Sequence, residues 1–269
     1  MIRLILSDMD GTLLDNEGCL PAGFDDMIRQ LRERGILFAP CSGRQYHSLL
    51  KLFASYKDEF LFLAENGAFA SYRGREIISC VLDRQLVTEI VAGFADHEQV
   101  YILLGGKRAA YLRREKLDAR LRAELTRYGT HYELVDDWAE VDDELLKLAF
   151  YVPEGRAKQL VCPQLTAFAG HVQLAYADNH WVDAMAPGVD KGWAVKQVQR
   201  YLRLTAEECA AFGDYANDAG MLKAVSYSFA MENAQPAIQS LARFRAPANT
   251  AGGVVQAVEW LIRQGLCEK

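Results

Sequence analysis

Acidic side chains stand at two places in the chain where a short apolar run ends. Asp8 and Asp10 follow the run IRLILS, and Gly11 after them permits a tight turn. Asp214 follows the run CAAFG, and Asp218 lies four residues further on. If the two runs are neighbouring strands, these carboxylates converge on one crevice, where protons or a cation must relieve their repulsion. A few carboxylates with otherwise oxygen ligands suit Mg²⁺.

Each acidic pair also has an ordinary structural interpretation. Asp10 and Thr12 could cap the loop after the strand. Asp218 could complement the N-terminus of a helix that opens near Asn217, a contribution of ~0.3–1 kcal/mol. That role for Asp218 does not explain the other acid of the pair, Asp214, at the end of the strand. An EF-hand is excluded, because its glycine must be the sixth loop residue and Gly11 is the fourth counted from Asp8.

Two other groups along the chain could bind an anion. Ser42 and Gly43 lie where a second apolar run, ILFAPC, meets a predicted helix, and free N–H groups at a helix start bind phosphate oxygens. The alternative is that Ser42 only caps that helix. Asp190 is a predicted N-cap, and Lys191 then falls in the first helical turn, where it opposes the macrodipole unless an anion is near. Acids, a cation and a phosphate cradle together indicate phosphoryl transfer.

The elements that must position these groups alternate between strand and helix. The runs IRLILS, ILFAPC and FLFLA are predicted strands, separated by helices over Pro21–Arg34 and from about Gly43. Continuous apolar strands predict a doubly wound, Rossmann-like parallel sheet in the α/β class, covered on both faces. Tyr72–Arg75 predicts a hairpin that could form the edge of that sheet. The alternation returns after Pro187, with a helix over Lys191–Leu202 and a last one over Gly253–Gln264.

The middle of the chain has a different order of elements. Helices are predicted over Gln85–His97 and Lys116–Tyr128, among several strands and without strict alternation. We therefore predict a core formed by residues 1–82 and 187–269, interrupted by an inserted α+β cap over residues 83–186. No internal repeat or low-complexity segment is present.

Composition narrows the class of protein. The chain has 269 residues, 51% of them hydrophobic, and a formal net charge of −6. That sign argues against a partner held by bulk positive charge, such as nucleic acid or an anionic membrane surface. No apolar run approaches the ~18 residues of a membrane span, and Asp8 interrupts the first run too early for a signal peptide. The six cysteines show no CxxC spacing, so we expect reduced thiols in a cytoplasmic protein rather than disulfides or a zinc site.

The motifs together resemble those of the haloacid dehalogenase superfamily. DMDGT is similar to the first motif, CSGR to the second, Lys191 to the third and GDYAND to the fourth, in the family's order. NGA at residues 66–68, GVDKGWAV, MENA and TAGGVVQAV resemble the Cof-type branch, which has a large inserted α/β cap. The chain departs from the usual residues of the branch at Tyr215, Ala216, Glu232 and Asp183. The departure at Asp183 leaves open what this residue contacts on the cap side.

The resemblance implies a role for each matched residue. Asp8 would be the nucleophile that forms an aspartyl-phosphate, and Asp10 the general acid and base. Mg²⁺ would be held by Asp8, the Asp10 carbonyl and Asp214, with Asp218 as a ligand or as the anchor of a metal-bound water. Ser42 and Lys191 would hold the phosphoryl oxygens. The residues expected to position phosphate or touch substrate are Gly11, Gly43, Arg44, Asn66 and Asn217.

The substrate expected from the resemblance is a small phosphorylated metabolite, above all a sugar phosphate, with specificity set by the cap. His180 and Trp181 could line the cleft, although such residues are more often packing residues. A dedicated biosynthetic phosphatase and a phosphomutase are alternatives with the same chemistry. A catalytically silent binding protein on this fold is the alternative from another class, and the sequence does not fix the oligomeric state.

Overall fold

The computed structural model describes residues 1–176 and 178–268. Its strands, in chain order, are β1 Leu4–Ser7, β2 Leu37–Pro40, β3 Leu61–Ala64, β4 Phe69–Tyr72, β5 Arg75–Ser79, β6 Tyr101–Gly106, β7 Ala110–Arg113, β8 Tyr132–Val135, β9 Leu145–Tyr151, β10 Gln173–Tyr176, β11 Trp181–Met185, β12 Cys209–Gly213, β13 Tyr227–Met231 and β14 Phe244–Ala246. Its α-helices are α1 Phe24–Glu33, α2 Tyr46–Leu52, α3 Arg84–Ala92, α4 Ala119–Arg127, α5 Ala157–Leu165, α6 Lys191–Leu202, α7 Ala219–Lys223, α8 Pro236–Leu241 and α9 Gly253–Arg263. Short single-turn 3₁₀ segments connect several of them.

A parallel sheet forms the first layer, with strand order β14-β13-β12-β1-β2. Every residue of β1 and β12 is buried, which requires cover on both faces because successive side chains point to opposite sides. Helix α1 lies beside α9 and α6 beside α7 in that cover. The predicted parallel α/β sheet is therefore confirmed. Four aromatic residues are buried in its core: Phe24, Phe53, Phe60 and Phe62.

The central position of β1 matters for the site. β1 pairs in parallel with β12 on one side and with β2 on the other. The chain thus continues from β1 to β2 on one side of it and returns later, with β12, on the opposite side. The strand order reverses at β1, and ligands of open α/β sheets bind at such a switch point, beyond the carboxyl ends of the strands. The ends of these three strands carry the acidic and serine motifs.

The predicted hairpin at Tyr72–Arg75 is present, with Arg73 and Gly74 both at positive φ. It does not lie in the parallel sheet itself. β3, β4 and β5 form a separate antiparallel sheet, which is linked to the end of β2 by one isolated bridge from Cys41 to Leu63. The hairpin extends that edge of the molecule.

A six-stranded sheet, β10-β11-β9-β6-β7-β8, uses residues 101–185 and is antiparallel except for the β7–β8 pair. Helices α3 and α5 pack on one face, and α4 packs on the other. Two of these elements were not predicted. Helix α5 contains Pro163, which obscured its pattern, and β8 is short with only its last residue buried. We propose the division into a core of residues 1–82 and 187–269 and a cap of 83–186 on the basis of these sheets.

Several predicted helix starts were placed too early. Helix α1 begins at Phe24, after Gly23 at φ 82°, so Pro21 precedes the helix instead of occupying its first turn. Helix α2 begins at Tyr46, and the chain beyond Asp214 makes a 3₁₀ turn before α7 begins at Ala219. The predicted α6 is confirmed at both ends. No helix that the structure describes combines the length and the hydropathy of a membrane span.

Candidate active site

The acidic motifs meet at the carboxyl end of the parallel sheet. Asp8 follows β1 directly, Asp214 follows β12, and the two strands are neighbours. One carboxylate oxygen from each of Asp8, Asp214 and Asp218 can be chosen so that all three lie within 4.8 Å of one another. Residues more than 200 positions apart in the sequence therefore share one small acidic site.

A single buried ammonium lies within this acidic cluster. Asp190 caps α6 by accepting the backbone N–H of Trp193 at 2.6 Å, as predicted, and the next residue is Lys191. The Nζ of Lys191 donates to the Oδ1 of Asp8 at 2.5 Å and to the Oδ1 of Asp218 at 2.6 Å, and no part of the residue is exposed. Lys191 thus binds two of the three carboxylates of the cluster.

The charge imbalance changes the acidity of these groups. Burial, followed by the neighbouring charge of Asp218, raises the pKa of Asp8 well above its ordinary 3.8 although Lys191 opposes the shift. The same two causes raise the pKa of Asp214 to about 7. Burial alone would lower the pKa of Lys191, but the charges of Asp218 and Asp8 raise it. The cluster is short of positive charge, and its oxygen donors suit a hard divalent cation.

The oxygens of the cluster are not equally available. The Oδ1 of Asp218 binds Lys191, and its Oδ2 accepts the backbone N–H groups of Asp214 at 2.9 Å and Tyr215 at 3.1 Å. Asp214 accepts one hydrogen bond from the Thr12 hydroxyl, at 2.7 Å to its Oδ1. Asp218 therefore orders Lys191 and the turn after β12, while Asp214 and Asp8 keep an oxygen apiece without a protein donor among the described residues.

Gly11 lies directly beneath the Asp214 carboxylate. Its φ is +78°, a conformation that L side chains rarely adopt, and a Cβ on Gly11 would lie 2.6 Å from the Oδ2 of Asp214. The glycine thus allows the first turn to pass under the acidic cluster.

Ser42, Gly43 and Arg44 form a loop between β2 and α2, which we call the serine loop. The Oγ of Ser42 accepts the backbone N–H of Arg44 at 3.1 Å. The interpretation of Ser42 or its neighbour as a helix cap was wrong, because α2 begins only at Tyr46 and its N-cap, Gln45, makes no side-chain cap. The buried Ser42 is thus free of a capping role.

Arg44 binds the other predicted catalytic acid. Its guanidinium donates to both oxygens of Asp10, at 2.8 Å from Nε and 2.6 Å from Nη2. The guanidinium also lies over the ring of Tyr128, 5.2 Å from its centroid. Arg44 is therefore positioned at the edge of the acidic cluster, where it holds Asp10 through a two-pronged ion pair.

The two predicted asparagines are joined to each other. The Nδ2 of Asn217 donates to the Oδ1 of Asn66 at 3.1 Å, and the Nδ2 of Asn66 donates to the Oδ2 of Asp183 at 2.7 Å. Asn66 is 1% exposed, so its amide lies behind the site, whereas Asn217 lines the adjoining cavity. The structure thus places Asn66 in a supporting position.

A cavity of about 350 Å³ lies between the ends of the parallel sheet and one face of the six-stranded sheet. Asp8, Asp10, Asp214 and the serine loop line one side. The opposite wall is formed by residues of the six-stranded sheet and its helix α4, among them Leu103, Ala110, Arg127, Tyr128, Ala149 and Trp181. Trp181 lines the cavity as one of the weighed interpretations suggested, and His180 is not among the lining residues.

Three charged residues in this region were not singled out from the sequence. Lys147 and Glu65 form an ion pair at 3.0 Å beside the cavity, and Asp178 lines its far wall. Each was detectable in principle, because Lys147 is a lone charge in the apolar strand LLKLAFY and Glu65 follows the buried strand β3. A lone charge in a strand that is otherwise buried requires a partner, but the sequence does not identify it.

The comparisons with known proteins agree with this geometry. Residues 5–258 match the family model described as haloacid dehalogenase-like hydrolase. The chain is 29% identical over 263 residues to the 5-amino-6-(5-phospho-D-ribitylamino)uracil phosphatase of Escherichia coli (strain K12), covering 97% of both chains. It is 26% identical to the HMP-PP phosphatase of Klebsiella pneumoniae (strain 342), covering 89% of this chain and 88% of the relative.

Among solved structures, one from Streptococcus mutans UA159 superposes with a TM-score of 0.90 at 26% identity, covering 98% of this chain and all of the other. The match over nearly the whole length confirms the predicted fold. The motifs, the acidic site and the family match lead to one conclusion. The chain belongs to the haloacid dehalogenase-like hydrolase family and is a phosphatase of its Cof-type branch.

Proposed function

We propose that this phosphatase hydrolyses small phosphate monoesters with the help of Mg²⁺ and through a phosphorylated Asp8. The observation that carries the proposal is the convergence of Asp8, Asp214, Asp218 and Lys191, of which Asp8 and Asp214 line a cavity large enough for a metabolite. With all three carboxylates ionised, this cluster carries two negative charges in excess, which is costly for a folded protein, and a site for a divalent cation and a phosphate provides a reason to keep it.

Asp8 supplies the nucleophile. Its Oδ1 is bound by Lys191, and its Oδ2 is the oxygen that would attack phosphorus, forming an O–P bond while the P–O bond to the alcohol breaks. Asp10 gives its proton to the departing alcohol. Asp10 then removes a proton from the water that attacks the phosphoryl group, so that phosphate leaves and the Asp8 carboxylate is regenerated.

Lys191 and Ser42 hold the phosphoryl group during transfer. The Lys191 ammonium reduces the repulsion between the Asp8 carboxylate and a dianionic phosphate. The Ser42 hydroxyl and the Asn217 amide both face the cavity and can donate to phosphate oxygens. The substrate phosphate competes with Asp10 for the Arg44 guanidinium, and this competition would release Asp10 for its role as an acid.

The residues that would hold Mg²⁺ are Asp8, Asp214 and the carbonyl oxygen of Asp10, with Asp218 ordering the ligands around them. The Oδ2 of Asp214, which has no protein donor among the described residues, and the raised pKa values of Asp8 and Asp214 fit the ligands of a divalent cation. When bound, the ion supplies positive charge that stabilises the transferring phosphoryl group.

The substrate class follows from the wall opposite the catalytic residues. An apolar surface is formed there by Leu103, Ala110 and Ala149. Tyr128 and Trp181 add aromatic rings, whose planes are perpendicular within about 10° and whose centroids are 6.2 Å apart. Such a wall suits an alcohol that carries a planar ring. The expected sugar phosphate remains compatible with the phosphate end, since the substrate named for the Escherichia coli relative joins a phosphoribityl chain to a uracil. We therefore favour a polyol phosphate that bears a ring.

A dedicated biosynthetic role is the form of this function that the enclosed cavity favours. A phosphomutase would use the same nucleophile but keep the phosphate on its product. A silent binding protein is the weaker alternative, because Asp8, Asp10, Lys191 and Asp214 are all present.

The test is a panel of phosphate monoesters, assayed for released phosphate with Mg²⁺ and with a chelator. We expect turnover only with Mg²⁺, and higher kcat/KM for esters that carry a heteroaromatic ring than for simple hexose phosphates. Release of no phosphate from any ester would refute the proposal and favour the binding protein. Recovery of the phosphate in an isomeric phosphate ester, in place of free phosphate, would favour the mutase.

A further inference from the structure

A second buried lysine lies beside the site, and the reaction proposed above does not use it. Lys147 stands in the middle of β9, the central strand of the six-stranded sheet, and its side chain is 12% exposed. Its Nζ donates to the carbonyl oxygen of Gly43 at 2.7 Å and lies 3.0 Å from the Oε2 of Glu65 and 3.1 Å from the Oδ2 of Asp183. It thus connects the six-stranded sheet to the loop between β2 and α2.

The ammonium of Lys147 is surrounded by protein oxygens. It donates to the Gly43 carbonyl and to the Asp183 carboxylate, and the Oε2 of Glu65 lies 3.0 Å away as an ion-pair partner without hydrogen-bond geometry. The residue lines the cavity, and its ammonium binds the serine loop through the Gly43 carbonyl and pairs with the carboxylates of Glu65 and Asp183. A role in binding the leaving group is therefore not what this geometry provides.

The bond to Gly43 completes the support of the serine loop. The carbonyl of Ser42 accepts the backbone N–H of Asn66 at 3.0 Å, and the carbonyl of Arg44 accepts that of Glu65 at 3.0 Å. Lys147 holds the carbonyl between these two. All three consecutive carbonyls of the loop are thereby fixed, which holds the backbone that carries Ser42 and the Arg44 N–H that donates to its Oγ.

The turn at Glu65 and Asn66, whose N–H groups bind the carbonyls of Arg44 and Ser42, also depends on Lys147. Glu65 and Asn66 both have φ of +53°, which is strained for residues other than glycine. The Glu65 carboxylate, 1% exposed, is an ion-pair partner of Lys147. Asp183 binds both Lys147 and the amide of Asn66, and Asn66 in turn accepts from Asn217. The network therefore reaches both of the loops that face the phosphate.

We infer that Lys147 is a positioning residue for catalysis: by holding Gly43, Glu65 and Asp183 together it sets the orientation of Ser42 and Asn217 toward the phosphoryl group. This inference rests on the proposed function, since it assigns Lys147 an effect through the phosphate-binding loops. It also predicts that the effect of Lys147 is independent of the alcohol that the substrate carries.

The test must avoid simple unfolding. Lys147→Met alone leaves two buried carboxylates facing each other without a cation, so it is combined with Asp183→Asn, which keeps an oxygen for Asn66 and removes one charge. Asp183→Asn by itself is the reference. Lys158→Met, an exposed lysine on α5 of the same unit, is the matched control.

Four quantities are measured for each variant. They are kcat and KM, for p-nitrophenyl phosphate and for a larger ring-bearing phosphate ester, the affinity for inorganic phosphate by calorimetry with Mg²⁺ present, and Tm. Relative to Asp183→Asn, we expect the double variant to lose about 10–100-fold in kcat with both substrates and to bind phosphate about tenfold more weakly, because small misplacements of positioning groups are costly. Lys158→Met should match the wild type.

A double variant with a lowered Tm but unchanged kcat and phosphate affinity would overturn the inference, since Lys147 would then be structural only. A loss confined to the larger substrate would overturn it too, by showing contact with the alcohol. Failure of the proposed function is a separate result, because it would appear as absent hydrolysis by the wild type itself.

Discussion

Replacing Asp214 with asparagine should make the metal-free protein more stable while destroying the proposed metal site. The substitution keeps the size of the side chain and an oxygen that can accept the Thr12 hydroxyl, 2.7 Å away. It removes one charge from a cluster of three carboxylates in which Lys191 binds only Asp8 and Asp218. Asp214 has no cationic partner within ion-pair distance among the described residues, so its charge is the one whose loss disturbs least.

The magnitude follows from the shifted acidity of this carboxyl. Burial and the charge of Asp218 raise its pKa from 3.8 to about 7, and each unit corresponds to about 1.4 kcal/mol. Ionising Asp214 in the folded protein therefore costs at most about 4 kcal/mol. Because solvent screens the charge at this half-buried position, we expect a cost of about 2–4 kcal/mol. Between about pH 4 and pH 7 the folded state binds the extra proton, so this group lowers the stability of the wild type as pH rises. The gain from Asp214→Asn should be small below about pH 4 and complete above about pH 7.

The assay is thermal unfolding in a chelator across this pH range. At about pH 8 we expect Asp214→Asn to raise Tm by about 5–10 °C. Asp58→Asn, at an exposed position, should leave Tm nearly unchanged and is the control. Adding Mg²⁺ at about 100 times its Kd should stabilise the wild type by about 2.7 kcal/mol and the variant much less. A variant no more stable than the wild type in chelator would refute the account of crowded carboxylates, and equal stabilisation of both by Mg²⁺ would remove Asp214 from the metal site.

Three further predictions concern the reaction. Asp8→Asn should reduce phosphate release by more than about 1000-fold while leaving the fold and phosphate affinity largely intact, because only the nucleophile is lost; activity near that of the wild type would exclude the covalent route. Ca²⁺ added to the Mg²⁺-loaded enzyme should inhibit steady-state turnover, because its higher and looser coordination disturbs the in-line geometry; stimulation would contradict the metal assignment. Trp181→Leu should lower kcat/KM for a ring-bearing ester about fivefold through the loss of about 1 kcal/mol of aromatic contact, with acetyl phosphate as the control substrate; an equal loss with both would show that Trp181 does not contact the ring.

Local features of the sequence were enough to predict the parallel sheet and the motifs at its edge. Buried parallel strands are nearly continuous apolar runs, and the polar residues that end them, such as Asp8, Ser42 and Asp214, must lie at one edge of the sheet whatever the details of packing. Helix α6 was predicted at both ends, because Asp190 is a local N-cap signal and the helical pattern continues from Lys191 to Leu202. Helix α5, interrupted by Pro163, lacked such a pattern and was missed.

Contacts between distant parts of the chain decided the rest. Nothing local to LLKLAFY states that Lys147 binds the Gly43 carbonyl 104 residues away, or that Asp183 links it to Asn66. The capping role expected for Ser42 failed for the same reason, because the position where α2 begins depends on the bonds that hold residues 42–44 to the turn at Glu65 and Asn66. Periodicity and end signals act over a few residues, so the sequence alone determined which groups are present and at which strand ends. The pairing of buried charges depends on distances that exist only after folding, and the tertiary structure alone decided that Lys191 pairs with Asp8 and Asp218 while Lys147 pairs with Glu65 and Asp183.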